Sequence, residues 1–368
     1  MVDIPFFKKF TLPSFSFDLG RHSPSFLGVD IGGYSVKVVQ LRKEKERAVL
    51  ETYGELKTGG YLKRTSGAAG SNFLRFLEAD VTEMLSDILK ESNVTTHQAV
   101  FSIPPISSFI TVVDFPRLSP GEIQTAIPYE AKKYIPIPLS EVLLDWEVID
   151  EGDKERVKIL LVAVPKEVIS KYKRIAQLSK LELRALEIEN FSLVRSLVGP
   201  SRNVVAIINF GAYTTTVCVV DQGTLRLNHN IERGFHEITR TMVKALNISE
   251  ERAEEFKKTV GLSEKPEEKE VVDVILGSLD ALMRETERIV NVYNRANMRK
   301  VEQVILTGGG TNLFGLVDYA AKTFGLETIR ANPFARLVYP AFLQPILHEI
   351  GPSFSTAVGL ALREITSK

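Results

Sequence analysis

The fold of this chain is indicated by the stretch Phe26-Leu-Gly-Val-Asp-Ile-Gly-Gly-Tyr-Ser-Val-Lys37. It is an apolar run with one acid directly before two glycines, followed by a serine and a lysine on a returning strand. Because glycine has no Cβ and permits positive φ, backbone amides of such a turn approach phosphate oxygens closely. An ordinary hairpin with a Gly-Gly turn has the same spacing, so this motif alone leaves both interpretations open. The residues predicted for phosphate contact are Asp30, Gly32, Gly33, Ser35 and Lys37.

A second stretch repeats the design: Val204-Val-Ala-Ile-Ile-Asn-Phe-Gly-Ala-Tyr-Thr-Thr-Thr216. The two stretches differ at the acidic position: the first has Asp30 and the second has Asn209, which supplies no negative charge to a metal. The threonines also fit a plain strand, which their β-propensity favours. Two such stretches, one at the start of each half, predict two similar lobes that close on one phosphate chain. The residues predicted for the second phosphate side are Asn209, Gly211, Thr214 and Thr215.

A third glycine-rich stretch lies near the C-terminus, Val301-Glu-Gln-Val-Ile-Leu-Thr-Gly-Gly-Gly-Thr-Asn-Leu-Phe-Gly315. It predicts a strand, a turn that lies flat against a base or ribose, and then a helix start. It is neither a Walker A loop nor a Rossmann fingerprint, since the sixth position of the latter is Leu313. No H-E-x-x-H or G-x-S-x-G motif occurs, and no catalytic residue is predicted. The predicted adenosine-side residues are Gly308, Gly309, Gly310 and Thr311.

The order of these three turns resembles the actin, Hsp70 and sugar-kinase superfamily. Between the last two lie Gly234-Phe-His-Glu-Ile-Thr239 and a helical stretch that is similar to the superfamily's A-E-x-x-K pattern at Ala253, Glu254 and Lys257. The resemblance implies that Gly234, Glu254 and Lys257 line the ribose and base side. A solvated i,i+3 ion pair is the plainer interpretation of the last two.

Further segments resemble the type IV pilus assembly protein PilM family, an FtsA-like branch of that superfamily, over about residues 26 to 364. The resemblance is carried by 101–105, 113–138, 144–148, 161–165, 186–195 and 357–363. It implies an α/β, bilobal actin-like fold of two RNase H-like lobes, with an FtsA-type 1C subdomain in the first lobe. The expected limits are a tail over 1–25, a first lobe over 26–200 with 1C about 117–187, and a second lobe over 201–368 with 2B about 234–300.

The resemblance also implies a function. ATP is expected to act as a structural clamp, and the partner is expected to be the cytoplasmic N-terminal peptide of a PilN-like inner-membrane protein, with pilus motor ATPases as further partners. Asp30 is expected to order Mg²⁺ through water, because that ion keeps several waters and takes few carboxylates. The family usually has Asp where this chain has Asn209, so at most weak ATPase activity is expected. The alternatives are an FtsA-like filament-forming protein and a phosphotransferase of the sugar-kinase type.

Composition bounds these expectations. The chain has 368 residues with 46 basic and 46 acidic side chains, so no global field recruits nucleic acid. Its single cysteine, Cys218, is predicted to be a buried structural residue, and a reducing cytoplasm follows as the default. No apolar run is long enough to cross a bilayer. The family resemblance implies a location at the inner face of the cytoplasmic membrane, through the partner. The tail before the first strand clusters five phenylalanines with two lysines, which fits a packed or disordered tail or a weak membrane contact.

Periodicity predicts the main remaining elements. Strands are expected within 37–56, and helices over 73–91, 166–179 and 276–297. A further helix is expected from Ser119, kinked or interrupted at Pro128. The stretch 58–71 is expected to be a mobile small-residue loop, and 265–270 a charged, solvated connector.

Overall fold

The computed structural model describes residues 23–61, 77–150, 155–199 and 201–366. The phenylalanine-rich tail and most of the 58–71 loop therefore lie outside the described residues. The described chain divides into two compact units. Unit 1 holds the residues up to Arg195 together with Arg336–Tyr339 and the residues from Thr356, and unit 2 holds Ser196–Ala335 and Pro340–Ser355.

Unit 1 is built on a six-stranded sheet in the order β14-β3-β2-β1-β4-β8. The first three strands form an antiparallel meander, as predicted, while β4 and β8 run parallel to β1. The carboxyl ends of β1, β4 and β8 therefore lie at one edge of the sheet. The bounds are β1 Ser25–Ile31, β2 Ser35–Glu44, β3 Arg47–Lys57, β4 Gln98–Ile103, β8 Glu182–Ile188 and β14 Leu337–Val338, with helices α1 Glu78–Glu91, α3 Lys166–Leu178 and α4 Glu189–Leu193.

A separate three-stranded sheet within unit 1 has the order β5-β7-β6, with β5 Phe109–Pro116, β6 Val142–Asp150 and β7 Arg156–Pro165. Helix α2, Pro120–Ala131, packs its buried Ile123 and Ile127 on this sheet to form a core of its own. Ser119 and Glu122 form a capping box at its start. Pro128 lies inside α2, and the helix ends three residues later.

Unit 2 is built on a five-stranded sheet in the order β11-β10-β9-β12-β13. Its first three strands are antiparallel, and β12 and β13 run parallel to β9. Cys218 is buried in β10, as predicted. The bounds are β9 Val204–Phe210, β10 Thr215–Asp221, β11 Thr224–Ile231, β12 Gln303–Thr307 and β13 Glu327–Arg330, with helices α5 Phe235–Leu246, α6 Glu250–Thr259, α7 Lys269–Ala296 and α8 Leu316–Phe324.

Two elements of unit 2 differ from the predicted pattern. Helix α7 begins at Lys269, seven residues before the predicted start, so part of the charged connector is helical. The apolar side chains of this first part, Val271, Val274 and Ile275, pack on the core of unit 2, but they directly follow the charged run and were not assigned to the helix. The helix predicted directly after the three glycines begins only at Leu316, because a 3₁₀ turn occupies Gly309–Asn312.

The last helix, α9, spans Gln344–Thr366 and contributes residues to both units. In unit 1 it approaches other backbone closely at glycines: a Cβ on Gly28 would lie 2.8 Å from the Ala361 nitrogen, and one on Gly359 would lie 2.6 Å from the Ser192 carbonyl carbon. Glycine at these positions permits the close packing of α9. Among the described residues, no helix combines the length and the apolarity that a bilayer crossing requires.

Candidate functional site

The first glycine turn joins β1 to β2 in unit 1. The Gly32 N–H donates a 3.0 Å hydrogen bond to the Ser35 carbonyl and closes the turn. Antiparallel register places Asp30 on β1 directly opposite Lys37 on β2. The five residues predicted for the first phosphate side therefore do form one hairpin end, with its carboxylate and its ammonium on neighbouring strands.

Asp30 is only 9% exposed, and its Oδ1 accepts a 2.8 Å hydrogen bond from the Ser102 hydroxyl. Burial raises the pKa of Asp30, although the Lys37 ammonium and the Ser102 hydrogen bond partly oppose the rise. Ser102 was not predicted, because its place beside Asp30 depends on the parallel pairing of β4 with β1. A buried carboxylate beside a single hydroxyl and a single ammonium fits a cation held largely through water.

The side chains of Ser35 and Lys37 both bond to Glu55 on β3. The Lys37 Nζ lies 2.5 Å from the Ser35 Oγ and 3.3 Å from Glu55 Oε1, and the Ser35 hydroxyl donates a 2.7 Å hydrogen bond to the same oxygen. Burial raises the pKa of Glu55, but Lys37 and the hydrogen bond from Ser35 outweigh this effect and leave it lowered. Glu55 was not predicted, although the meander pairs it directly with Lys37. Any phosphate contact by Lys37 competes with this carboxylate.

Glu189, the first residue of α4, is a second acid that the sequence interpretation missed. It directly follows β8, whose carboxyl end lies at the same sheet edge as that of β1. Burial and then repulsion from Asp30 raise the pKa of Glu189 well above its ordinary value. The available signal is an acid immediately after an apolar strand, within the segment 186–195 that carries part of the family resemblance.

The second glycine turn joins β9 to β10 in unit 2. The Gly211 N–H donates to the Thr214 carbonyl at 3.0 Å, and the first N–H groups of α5 bond back to the turn, with Phe235 donating to the Gly211 carbonyl at 3.0 Å. A Cβ on Gly234 would lie 2.6 Å from that same carbonyl oxygen. Gly234 therefore permits α5 to start directly against the turn.

The two predicted threonines differ in their surroundings. Thr214 is half-buried on the turn itself. Thr215 is fully buried, and its hydroxyl donates a 2.9 Å hydrogen bond to the Arg233 carbonyl. The turn thus presents Thr214 at its surface, while Thr215 fixes the segment that leads into α5.

The third glycine turn packs on the second. Gly308 has a φ of +85°, and a Cβ there would collide with the Asn209 amide oxygen and lie 2.5 Å from the Phe210 carbonyl. A Cβ on Gly310 would lie 2.7 Å from the Phe210 side chain, whereas nothing lies within 4 Å of the position at Gly309. Thr311 closes the turn with a 2.7 Å hydrogen bond from its hydroxyl to the Gly308 carbonyl. The backbone at Gly309 is therefore open to a ligand, while its neighbours are enclosed by protein.

Helix α6 brings the remaining predicted residues next to this turn. Lys257 is 8% exposed, and its Nζ lies 2.7 Å from Glu254 Oε1 and donates a 2.8 Å hydrogen bond to the Thr239 hydroxyl of α5. Burial lowers the pKa of Lys257, and Glu254 opposes the change. The Lys257 carbonyl accepts a hydrogen bond from the Phe314 N–H, just after the third turn. The ion pair of Glu254 and Lys257 therefore links α6 to α5 with a buried ammonium, and the interpretation as a solvated surface pair is wrong.

The predicted residues therefore form two connected groups. Those of the first phosphate side lie together in unit 1, and the others lie together in unit 2. Within the described ranges, no group of three or more His, Cys, Asp or Glu side chains has the arrangement of a metal site. A magnesium ion that accompanies a nucleotide needs no such cage, because phosphate oxygens and waters supply most of its ligands.

Two α/β units, each with an antiparallel meander that turns at glycines and two further parallel strands, define a protein of the actin-like ATPase fold. The model of the family described as type IV pilus assembly protein PilM matches residues 28–365. The chain belongs to that family.

Solved structures and a curated relative agree with this placement. The structure titled PilM-PilN type IV pilus biogenesis complex has a TM-score of 0.77 at 23% identity, covering 92% of this chain and 98% of that one. MreB5 of Spiroplasma citri bound to AMPPNP has a TM-score of 0.52 at 11% identity, covering 91% and 94%. The cell division protein FtsA of Streptococcus pneumoniae is 21% identical over 347 residues, covering 82% of this chain and 74% of FtsA.

Proposed function

We propose that this chain is a nucleotide-binding scaffold of type IV pilus assembly that binds the N-terminal peptide of a PilN-like inner-membrane protein. The observation that carries the proposal is the family match over 28–365. The likeness to a PilM chain from a PilM-PilN complex supports the choice of partner. Association with the membrane then follows from the partner.

The glycine turns support nucleotide as the ligand. Both hairpin turns place half-buried glycines where phosphate is expected, and the third turn leaves the Gly309 backbone open. Structures of MreB5 with similar folds were solved with AMPPNP and with ADP. ATP with Mg²⁺ is the proposed ligand, with Asp30 on the metal side and Glu254 and Lys257 on the ribose and base side.

Tight binding with slow turnover is the proposed chemistry. Phosphoryl transfer depends mainly on positioning of metal, water and phosphate by charged groups. Asn209 contributes an amide where a carboxylate would hold the metal, and its oxygen lies against Gly308. Nucleotide therefore serves chiefly to hold the turns in one arrangement.

The proposed partner mode is strand addition to the three-stranded sheet. Strands β5 and β6 are its outer strands among the described residues, so each has one edge without a paired strand. Main-chain hydrogen bonds from an extended peptide supply affinity at such an edge, and alternate side chains supply selectivity. On β6, the Trp146 N–H already bonds to the Asp145 side chain at 2.9 Å, which favours β5 as the receiving strand.

Thermal unfolding with and without Mg-ATP tests the nucleotide claim. Wild type should melt at a higher temperature with ligand by mass action, and Gly309→Asp should lose the rise. Because no atom lies within 4 Å of a Cβ at Gly309, this variant should melt normally without ligand. Gly277→Asp, at another open glycine on α7, is the matched control and should keep the rise. A full rise in Gly309→Asp would remove this turn from the site.

Fluorescence anisotropy of a labelled synthetic peptide, the N-terminal residues of a PilN-like protein from the same organism, tests the partner claim. Wild type should bind the peptide, more tightly with Mg-ATP, and Gly309→Asp should bind it without that enhancement. Absence of binding in both nucleotide states contradicts the scaffold proposal, even if the thermal test succeeds.

A further inference from the structure

A basic stripe lies along the solvent face of the last three turns of α7. Arg284, Arg288 and Arg295 are exposed and fall within about 40° of one another around the helix, at 100° per residue. Arg288 and Arg295 have no hydrogen-bond or ion-pair partner among the residues that the structure describes. In a chain with equal numbers of acidic and basic residues, this is a local excess of unpaired positive charge.

The acids near the stripe do not neutralise its outer face. Glu285 and Glu287 are half-buried at its sides, and the half-buried Asp280, one turn before Arg284, accepts a hydrogen bond from the Tyr319 hydroxyl. Asp221 is paired with Arg299 at 2.6 Å, and a Glu302 carboxylate oxygen accepts the Val204 N–H at 3.3 Å. The outward charge of α7 in this region is therefore set by its arginines.

The stripe leads into a turn that holds one large apolar side chain in solvent. Met298 is 97% exposed, and Val292, on the same side of α7, is 48% exposed. A methionine so exposed contributes nothing to the core of unit 2. Its placement beside the arginines gives the surface both positive charge and an apolar tip.

The turn that presents Met298 is fixed by several hydrogen bonds. The Lys300 ammonium donates to the carbonyls of Asn294 and Asn297, the latter at 2.6 Å, and so caps the carboxyl end of α7. The Asn294 side chain accepts the Val301 N–H at 2.9 Å, and Arg299 is tied to Asp221. Met298 is therefore exposed on a turn whose backbone is fixed by hydrogen bonds.

We propose that this surface, defined by Arg284, Arg288, Val292, Arg295 and Met298, contacts an anionic lipid bilayer directly. Arginines bond to lipid phosphates while their stems lie along apolar surface, and Met298 enters the headgroup boundary. Basic residues near an anionic leaflet each strengthen binding by a similar increment, which falls off within a Debye length. An acidic protein partner would use the arginines but gives no role to Met298. The contact is independent of the proposed partner peptide and adds to the attachment that the peptide provides.

Co-sedimentation of the full chain with phosphatidylethanolamine vesicles that contain phosphatidylglycerol tests the proposal. Wild type should bind, and raised salt should weaken the binding. The double variant Arg288→Gln, Arg295→Gln should bind about tenfold or more weakly, since each lost charge weakens binding severalfold. Met298→Gln should bind severalfold more weakly without a change of charge.

The matched control is the double variant Lys173→Gln, Arg240→Gln, which removes the same charge from exposed positions on α3 and α5. It should bind like wild type, and all variants keep the same N-terminal tail. Equal loss in both double variants would show a nonspecific charge effect and overturn the assignment. Failure of wild type to bind these vesicles better than phosphatidylcholine vesicles would also overturn it, as would arginine-dependent binding to a poly-glutamate peptide without vesicle binding.

Discussion

The Ser102 hydroxyl donates a 2.8 Å hydrogen bond to Oδ1 of Asp30 and so joins the carboxyl ends of β4 and β1. This is a modest partner for a buried carboxylate, because full compensation of a buried charge requires a close opposite charge and several hydrogen bonds. The nearest cation, Lys37, also serves Glu55. Ionisation of Asp30 therefore destabilises the folded state when no metal cation is bound. This effect provides a test of the proposed role of Asp30 at the metal.

Asp30→Asn should raise the melting temperature at neutral pH in the absence of nucleotide. Burial raises the folded pKa of Asp30 above its ordinary value of 3.8, so its favourable contribution is present below that pH and is lost as pH rises through the folded pKa. The difference between variant and wild type should grow across that window and then level off. Melting curves over a pH series, with and without Mg-ATP, measure this difference.

Mg-ATP should narrow the gap between Asp30→Asn and wild type, because only wild type gains an ionic partner. Asp114→Asn is the control, since Asp114 is exposed beside Lys158 and should change the melting temperature little. A variant less stable than wild type at neutral pH would show that the ionised carboxylate is well compensated without metal.

The two adjacent glycines of the third turn should respond differently to alanine. Gly308→Ala places a Cβ on a backbone with a φ of +85°, and this Cβ collides with Asn209 and Phe210. The unfolding free energy should therefore fall by about 3 kcal/mol or more. Gly309→Ala should lie within about 0.5 kcal/mol of wild type, because its Cβ position is empty. Denaturant unfolding of both variants provides the comparison. Equal losses would mean that the turn differs from the arrangement described.

Two ion pairs on α6 have the same i,i+3 spacing and different burial. Glu254→Ala leaves the Lys257 ammonium buried with only the Thr239 hydroxyl, and a loss of about 3 kcal/mol is expected. Glu255→Ala removes the exposed partner of Arg252 and should cost less than about 1 kcal/mol. Chemical denaturation of the two single variants measures the contrast. If both losses are small, Lys257 reaches solvent in the folded protein.

The sequence predicted those parts of the fold that depend on local pattern. Glycines after apolar runs located all three turns, and apolar periodicity located α3 and the later part of α7. The family resemblance supplied the actin-like fold, with two α/β units. The family match and the solved structures confirm this fold.

The residues that were missed depend on pairing between distant strands. Ser102 and Glu189 lie next to Asp30 only because β4 and β8 extend the sheet parallel to β1, and strand order is not contained in local spacing. Glu55 faces Lys37 through the register of β2 with β3. The burial of Lys257 depends on how α5 packs on α6, whereas its sequence spacing is the same for an exposed pair.

A buried ion cluster in unit 1 should control acid stability. Glu187 on β8 is fully buried, accepts two hydrogen bonds from Arg195 at 2.6 and 2.8 Å, and also bonds to Arg363 of α9. Burial raises the pKa of Glu187, but the two guanidinium groups outweigh burial and hold it below its ordinary value of 4.5. Its contribution is therefore present above that pH and lost as pH falls through the folded pKa.

Glu187→Gln should lower stability by about 3 kcal/mol at neutral pH, because it removes the carboxylate that both Arg195 and Arg363 contact and leaves only the more distant Glu364, 3.8 Å from Arg363. The deficit relative to wild type should shrink as pH falls below about 4.5. Glu182→Gln, which removes an exposed partner of Arg184 on the same strand, should have little effect at any pH. Thermal melts at neutral and acid pH measure both variants, and a deficit that stays constant with pH contradicts the role given to Glu187.

Replacement of Asn209 should show whether a missing carboxylate limits hydrolysis. Asn209→Asp keeps the size of the side chain beside Gly308 and adds a negative charge on the second phosphate side, where a metal and its waters are expected. ADP release by this variant should exceed that of wild type by at least about tenfold, because positioning and electrostatic stabilisation by charged groups and metal supply nearly all of the catalysis in phosphoryl transfer. Steady-state ADP release with saturating Mg-ATP measures both proteins. If Asn209→Asp binds nucleotide normally and turns over no faster, the slow step lies elsewhere than at this side chain.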